Sequence, residues 1–236
     1  MAGGLIWIFI QPDAVRDGTI TVAGPKGHHL ARVRRARPGE RGTAVCGVTE
    51  YDFEVVSVGR DRLEARVLGT RPATSEPGPH LSLLQAALPH PDLDSVLEAA
   101  TALGVMRFLP VLAERSVARP PLDRRRRWEA IVESAAEQSH RRTVPQVRQV
   151  SALRTALEEI RESRLIVLDP AAERPLPPIE DPSRPIVIAV GPEGGWSPAE
   201  LEEFRRHGAE RASLSPFVLR ARLAPIAAIA ILMHHR

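Results

Sequence analysis

The stretch from residue 186 to residue 208 does most to constrain the fold of this chain. It runs from five apolar residues, IVIAV, through GPEGGWSP into AELEEFRRHG. An apolar run without a polar break is typical of a parallel strand covered on both faces, and the glycines after it permit a sharp turn close to a ligand. Open α/β sheets bind ligands where such strands end. The stretch therefore predicts a parallel α/β sheet with a binding loop over Gly191–Gly195.

The residues after this loop predict the limits of a helix. Ser197 suits the N-cap, Pro198 the first helical position and Glu200 the third. Gly208 suits the position just after the last turn. We therefore expect a short capped helix directly after the loop.

The loop does not match the common phosphate-binding patterns. It lacks the spacing of GxGxxG, and GxxxxGK[ST] does not occur in the chain. A nucleoside triphosphate site is therefore not indicated. A tight turn without a ligand is the alternative interpretation of GPEGG.

Residues 1–72 predict a small β domain. Segments rich in β-branched and aromatic residues alternate with glycine or aspartate turns: LIWIFI, TITVAG, GTAVCGV, YDFEVVSVG and RLEARVLG. Between the second and third segments lies GHHLARVRRARPGER, in which Leu30 and Val33 share one predicted helical face. Arg32 and Arg35 then face elsewhere. This arrangement favours a small barrel that presents cations to RNA.

The second half of the chain alternates strand and helix patterns. Residues 73–80 belong to a proline-rich stretch without apolar periodicity and predict a linker. From residue 81, the segments LSLLQAAL, MRFLPVLAE and RLIVLD predict buried strands, and helices are expected over DLDSVLEAATALG and from Pro121 to about His140. Such alternation predicts a parallel α/β sheet over residues 81–236.

Basic residues cluster in two places. Residues 26–41 hold six basic residues against one acid, and residues 115–148 hold nine against four, although the formal net charge is only +3. Clusters of this kind favour contact with phosphates. Solvated arginines on helix surfaces are the alternative.

Other side chains argue against a disulfide, a metal centre and a membrane span. Cys46 is the only cysteine, which excludes an internal disulfide and fits a reducing cytoplasm. His28 and His29 lack a third ligand at useful spacing, so no metal is predicted. The apolar run Ala224–Met233 is too short to cross a bilayer and predicts a buried helix or an interface.

Several motifs together resemble a known family. GPEGG, the capped helix and LSPFVLR at residues 214–220 resemble the RsmE-type 16S rRNA uracil-N3 methyltransferases of the knotted SPOUT class. GHHLARVRRARPGER, LLQAALP, TALGV, LAERSV and ESAAEQSHRRTVPQV follow the family's pattern in the expected order. The resemblance implies a PUA-like RNA-binding β-barrel over residues 1–72, and a SPOUT-type parallel sheet with a C-terminal trefoil knot over residues 81–236. It also implies a cytoplasmic homodimer that acts on 16S rRNA of the 30S subunit.

The same resemblance assigns residues to the site. It implies S-adenosylmethionine as the cofactor and Arg220 as the catalytic residue, which would orient the uridine or stabilise its imide anion. The implied cofactor-binding residues are Leu168, Gly191, Pro192, Glu193, Gly194, Gly195, Leu214, Ser215 and Leu219. The implied RNA-binding residues are His29, Arg32, Arg35, Arg37, Arg141 and Arg142.

The chain departs from the family's pattern at polar positions. Ser215 replaces a glycine, Ala221-Arg222-Leu223 replaces Thr-Glu-Thr, and Ala99 and Ala102 replace charged residues. These changes motivate a second hypothesis, a repurposed relative that acts on a small molecule or on another acceptor. A third hypothesis is an RNA-binding protein without catalysis, whose affinity would fall steeply with salt.

Overall fold

The computed structural model describes residues 5–76, 78–120 and 124–234. The chain divides between Ser75 and Glu76 into two compact units. The last strand of the first unit ends at Pro72 and the first strand of the second begins at Leu81. The domain limits that the sequence predicts, residues 1–72 and 81–236 with a linker over residues 73–80, stay a prediction.

The first unit is a mixed β-sheet. Its strand order is β1-β4-β5-β6-β3-β2, in which β1 and β4 are parallel and the other neighbours are antiparallel. Alternate residues along the strands, such as Ile6 and Ile8, are buried because successive side chains point to opposite faces. The strands are β1 (Ile6–Phe9), β2 (Val15–Arg16), β3 (Thr19–Ala23), β4 (Arg41–Cys46), β5 (Thr49–Val58) and β6 (Arg62–Pro72).

The helical segment between β3 and β4 differs from the prediction. Helix α1 (Gly24–His28) continues into a π-helical turn over His29–Val33, in which the N–H of Arg34 donates to the carbonyl of His29 at 3.0 Å. This wider turn changes the angular spacing of the side chains. Leu30 is buried, whereas Val33 is 65% exposed. The prediction that Leu30 and Val33 share one face is therefore wrong.

The second unit contains a parallel sheet of strand order β10-β8-β7-β12-β11-β13, with β9 paired to β8. The predicted parallel α/β fold is confirmed. The short strands β9, β10 and β13 were not predicted. The strands are β7 (Leu81–Ala86), β8 (Arg107–Leu112), β9 (Gln146–Val147), β10 (Ser151–Ala152), β11 (Arg164–Leu168), β12 (Ile186–Val190) and β13 (Glu210–Ala212).

Helices cover both faces of this sheet. The helices are α2 (Asp92–Ala102), α3 (Arg124–Gln138), α4 (Leu153–Glu159), α5 (Pro198–Arg206) and α6 (Ala224–His234). Helix α4 was not predicted, and the predicted start of α3 at Pro121 lies outside the described residues. Ile186 and Ile188 of β12 belong to the apolar cluster of α2, α3 and α6, whereas Val187 and Ala189 belong to that of α4 and α5. Strand β12 is thus buried on both faces, as its apolar run predicts.

Candidate cofactor and RNA site

A cavity lies where three adjacent parallel strands end. Strands β11, β12 and β13 end at Leu168, Val190 and Ala212, and the loops that follow enclose a volume of about 350 Å³. This volume is within the range of small-molecule sites. Every residue predicted to bind the cofactor lines the cavity: Leu168, Gly191, Pro192, Glu193, Gly194, Gly195, Leu214, Ser215 and Leu219.

The loop after β12 is shaped by its glycines. Gly195 has φ +68°, a conformation that favours glycine, and its N–H donates to the carbonyl of Pro192 at 2.8 Å. A Cβ on Gly191 would lie 3.3 Å from both the backbone nitrogen and the indole nitrogen of Trp196. Gly191 therefore lets the backbone pass close to Trp196 while it faces the cavity.

A capping box fixes the far end of this loop. The hydroxyl of Ser197 accepts a hydrogen bond from the N–H of Glu200 at 3.3 Å, and the carboxylate of Glu200 accepts one from the N–H of Ser197 at 2.8 Å. The second oxygen of Glu200 accepts a hydrogen bond from the N–H of Glu114, also at 2.8 Å. The predicted cap of α5 is confirmed. It also ties α5 to the loop after β8.

Arg115 is a wall residue that sequence reasoning missed. It lies on the loop after β8, and its Nη1 donates to the carbonyl of Gly194 at 3.0 Å. A Cβ on Gly194 would lie 3.2 Å from the Cβ of Arg115. The motif LAERSV contains this residue, but its sequence position gives no sign that it meets a loop 79 positions away.

Asp169 is a second wall residue that the sequence did not assign. It directly follows β11, and its carboxylate accepts a hydrogen bond from Nε of Arg211 at 3.1 Å. Its N–H donates to the carbonyl of Ala212 at 3.0 Å. These contacts hold the ends of β11 and β13 together beneath the cavity.

The last wall, residues 214–221, leads into α6. Phe217 and Val218 line the cavity but are 78% and 82% exposed. Arg220 is exposed and is not among the lining residues, although its carbonyl accepts hydrogen bonds from the N–H groups of Leu223 and Ala224. The catalytic role of Arg220 stays a prediction.

The residues that stand in place of the family's Thr-Glu-Thr motif, Ala221-Arg222-Leu223, are accommodated by this structure. Ala221 is buried and lines the cavity, so its methyl group contributes to the apolar wall. Arg222 points to α2, where its Nη1 lies 3.2 Å from the carboxylate of Asp92. Leu223 is half exposed. The charge introduced by Arg222 is therefore balanced by Asp92.

The residues predicted to bind RNA fall into two groups. His29, Arg32, Arg35 and Arg37 are exposed on the first unit, and Arg142 is half-buried on the second. These five stay predictions.

Arg141 is different because it is only 5% exposed. Its Nη1 donates to the carbonyls of Thr101 at 3.0 Å and Val105 at 2.6 Å, and its Nε lies 3.6 Å from the carboxylate of Glu76. Burial lowers the pKa of this guanidinium, and the charge of Glu76 opposes that shift. The prediction that Arg141 contacts RNA is wrong, because its side chain is used within the fold.

The sequence predicts neither a metal centre nor a membrane span, and the described residues bear on both points. Among them, no three histidine, cysteine, aspartate or glutamate side chains are grouped so that they could hold a metal ion. None of the described helices has the length and apolar character needed to cross a membrane.

Known proteins are similar to this chain over most of its length. Residues 75–233 match the family model of the RNA methyltransferase domain. Ribosomal RNA small subunit methyltransferase E of Mycobacterium bovis is 34% identical over 97% of this chain and 90% of its own length. The protein of the same name from Bacillus subtilis is 27% identical over 92% of this chain and 90% of its own length.

Two solved structures are similar to this chain in fold and in sequence. Ribosomal RNA small subunit methyltransferase E from Neisseria gonorrhoeae, bound to S-adenosyl methionine, has a TM-score of 0.84 and 30% identity, with 96% of both chains covered. A putative methyltransferase from Legionella pneumophila in complex with the same cofactor has a TM-score of 0.86 and 26% identity, again with 96% of both chains covered. The family suggested by the sequence motifs is confirmed: this chain belongs to the ribosomal RNA small subunit methyltransferase E family.

Proposed function

We propose that this protein transfers a methyl group from S-adenosylmethionine to N3 of a uridine in the 16S rRNA of the small ribosomal subunit. One observation carries this proposal: the cavity at the ends of β11, β12 and β13 is lined by all nine residues that the sequence motifs assigned to the cofactor. Family membership makes the chain an RNA methyltransferase. The repurposed alternative is not favoured.

The cavity fits the size and chemistry of this cofactor. Apolar side chains at Leu168, Val190 and Leu214 offer surfaces for a flat adenine ring, and the three glycines of the loop, Gly191, Gly194 and Gly195, line the cavity without a side chain. The carboxylates of Asp169 and Glu193 suit a ligand with positively charged groups. When bound, S-adenosylmethionine supplies a methyl group on a positively charged sulfur.

The contribution of the chain is mainly positioning. The strand ends and the Glu200 cap hold the loop after β12 rigidly, which lowers the entropic cost of aligning two reactants. Phe217 and Val218 stand exposed on the last wall, where they would cover part of a bound ligand and exclude water. Arg220 follows them, and we assign it the orientation of the target base.

Recognition of the RNA is proposed to involve both units. The first unit would act as a PUA-like barrel in which His29, Arg32, Arg35 and Arg37 contact phosphates, and Arg142 would add a contact from the second unit. The family resemblance further implies a trefoil knot at the C-terminal segment, a homodimer and a cytoplasmic location. The mainly apolar helix α6 is the element that supports an interface.

The experiment is a methylation assay on 30S particles that lack the modification. Purified protein and S-adenosylmethionine should produce N3-methyluridine, detected by mass spectrometry of the digested rRNA. A well-folded sample that binds the cofactor but yields no N3-methyluridine would reject the proposed acceptor. Salt-sensitive RNA binding without any methyl transfer would instead favour the non-catalytic hypothesis.

A further inference from the structure

We propose that Arg115 is a second catalytic residue, one that donates a hydrogen bond to a carbonyl oxygen of the target uracil and stabilises the charge formed when N3 loses its proton. This inference rests on the proposed function, because it requires a uracil imide as the acceptor. It concerns a side chain that the sequence motifs did not assign to the site.

The charges around the cavity point to this role. Among the described lining residues, Arg115 is the only cation, and the other charged groups are the carboxylates of Asp169 and Glu193. A guanidinium repels a positively charged sulfonium and attracts an anionic imide. The charge of Arg115 therefore favours the acceptor in its reactive form and not the methyl donor.

Arg115 is held in place before any substrate binds. Its Nη1 donates to the carbonyl of Gly194, and the adjacent N–H of Glu114 donates to Glu200. Gly194 leaves space for the stem of the arginine, since a Cβ there would approach the Cβ of Arg115 to 3.2 Å. A fixed donor needs little reorganisation as charge develops, which is the condition for effective electrostatic stabilisation.

The guanidinium also keeps donors available. It carries five N–H groups, and among the described residues one acceptor, the carbonyl of Gly194, meets them. The side chain is exposed, so its other donors can reach a base that arrives from solvent. Two nearby carboxylates already have partners: Glu200 accepts hydrogen bonds from two backbone N–H groups, and Asp169 is paired with Arg211. Glu193 is then the acid that faces the cavity together with Arg115.

The reaction needs the uracil, the methyl donor and a hydroxide ion from solvent. The N3–H bond breaks, the proton passes to hydroxide to form water, and negative charge spreads over N3 and the two carbonyl oxygens of the ring. The electron pair on N3 then forms the new N–C bond, while the C–S bond of the donor breaks and its electron pair stays on sulfur. Arg115 lowers the barrier because it stabilises the anionic ring.

The carboxylate of the cofactor is a competing partner for the same guanidinium. The two partners predict different behaviour when the arginine is removed. Loss of an imide contact raises the pH at which the reaction reaches its maximal rate. Loss of a carboxylate contact weakens cofactor binding and leaves that pH unchanged.

The test is the pH dependence of single-turnover methylation of 30S particles by the wild type, Arg115→Ala and Arg115→Lys. At neutral pH we expect Arg115→Ala to be slower by roughly 10²–10³-fold, as for the loss of one oxyanion donor. Its rate should continue to rise at pH values where the wild type has reached a plateau, and Arg115→Lys should be intermediate. Arg154→Ala, which removes a highly exposed arginine on α4, is the matched control and should leave the rate unchanged.

Two further measurements separate the alternatives. Calorimetry should give the same affinity for S-adenosylmethionine in Arg115→Ala as in the wild type, and particles that carry the more acidic 5-fluorouridine should narrow the rate difference. A weaker cofactor affinity together with an unchanged pH profile would overturn the proposal. Failure of the proposed function would be seen separately, as inactivity of the wild type.

Discussion

The carboxylate of Glu200 accepts a hydrogen bond from the backbone N–H of Glu114 at 2.8 Å, a contact between residues 86 positions apart. Its second oxygen caps α5 through the N–H of Ser197. One side chain therefore holds the loop that carries Arg115 and the end of the glycine loop at the same time.

Substitution Glu200→Ala should loosen both loops. It removes acceptors from two backbone N–H groups, and we expect the free energy of unfolding to fall by about 1–3 kcal/mol. The affinity for S-adenosylmethionine should fall as well, because the cavity walls lose their fixed relation. Urea unfolding and calorimetry measure these effects. Glu202→Ala, on the same helix, is the control. In the part of the chain that the structure describes, this carboxylate bonds to the exposed Arg205 and Arg206, so its loss should change neither quantity. Equal effects of both substitutions would contradict this role of Glu200.

Substitution Gly191→Ala should displace Trp196 and the glycine loop, both of which line the cavity. The added methyl group would lie 3.3 Å from the indole nitrogen of Trp196, and overpacking of this kind costs about 1–3 kcal/mol. We expect the dissociation constant of S-adenosylmethionine, measured by calorimetry, to rise about tenfold or more. Gly69→Ala adds a methyl group with no atom within 4 Å and should leave the affinity unchanged. Wild-type affinity in Gly191→Ala would mean that the ligand lies elsewhere.

Arg141 and Arg142 should behave in opposite ways despite being neighbours. Arg141→Met leaves the carboxylate of Glu76 and the carbonyls of Thr101 and Val105 without this donor, so we expect a loss of about 3–5 kcal/mol in unfolding free energy. Arg142→Ala keeps the bond from the backbone N–H of residue 142 to Glu76, so it should cost less stability, and it should weaken RNA binding and reduce its salt dependence. Thermal unfolding and filter binding at several salt concentrations test the pair. A stable Arg141→Met protein with reduced RNA affinity would reverse this assignment.

The ion pair between Arg164 of β11 and Glu210 of β13 should make stability pH-dependent. The two side chains form hydrogen bonds of 2.8 and 3.0 Å, and the bond from Arg164 lowers the pKa of Glu210 below its usual range. The contribution is therefore present above the unfolded pKa and is lost as pH falls through the folded pKa. Since Glu210 is about half exposed, we expect Glu210→Gln to cost up to about 1 kcal/mol at neutral pH.

Unfolding curves of the wild type and Glu210→Gln at several pH values provide the measurement. The difference between the two proteins should shrink toward zero in acid. A difference that stays constant from neutral pH to a pH at which Glu210 is protonated in the folded protein would show that the carboxylate charge is not responsible.

Local sequence patterns were sufficient for the elements that build the cavity. The apolar run of β12 and the Ser197 to Glu200 cap are local signals, and the structure reproduces them at the predicted residues. The structure also brings Gly191–Gly195, Leu214 and Ser215 together around one cavity, because strand ends of a parallel sheet meet at one edge. Their role in cofactor binding stays a prediction.

The missed features depend on contacts between distant parts of the chain. In sequence, Arg141 resembles its half-buried neighbour Arg142. Its burial is explained by contacts with Glu76 and with the carbonyls near the end of α2. Arg115 reaches the cavity because the loops after β8 and β12 approach each other. Val33 is exposed because of a π-helical turn, which the helical period of 3.6 residues does not describe.

Calorimetric titration of the folded, full-length protein with S-adenosylmethionine tests the central claim most directly. The account predicts one binding site per chain, with an affinity that Gly191→Ala weakens and Gly69→Ala does not. A well-folded protein that releases or absorbs no heat across a range of temperatures, and shows no stabilisation by the ligand in thermal unfolding, would contradict it.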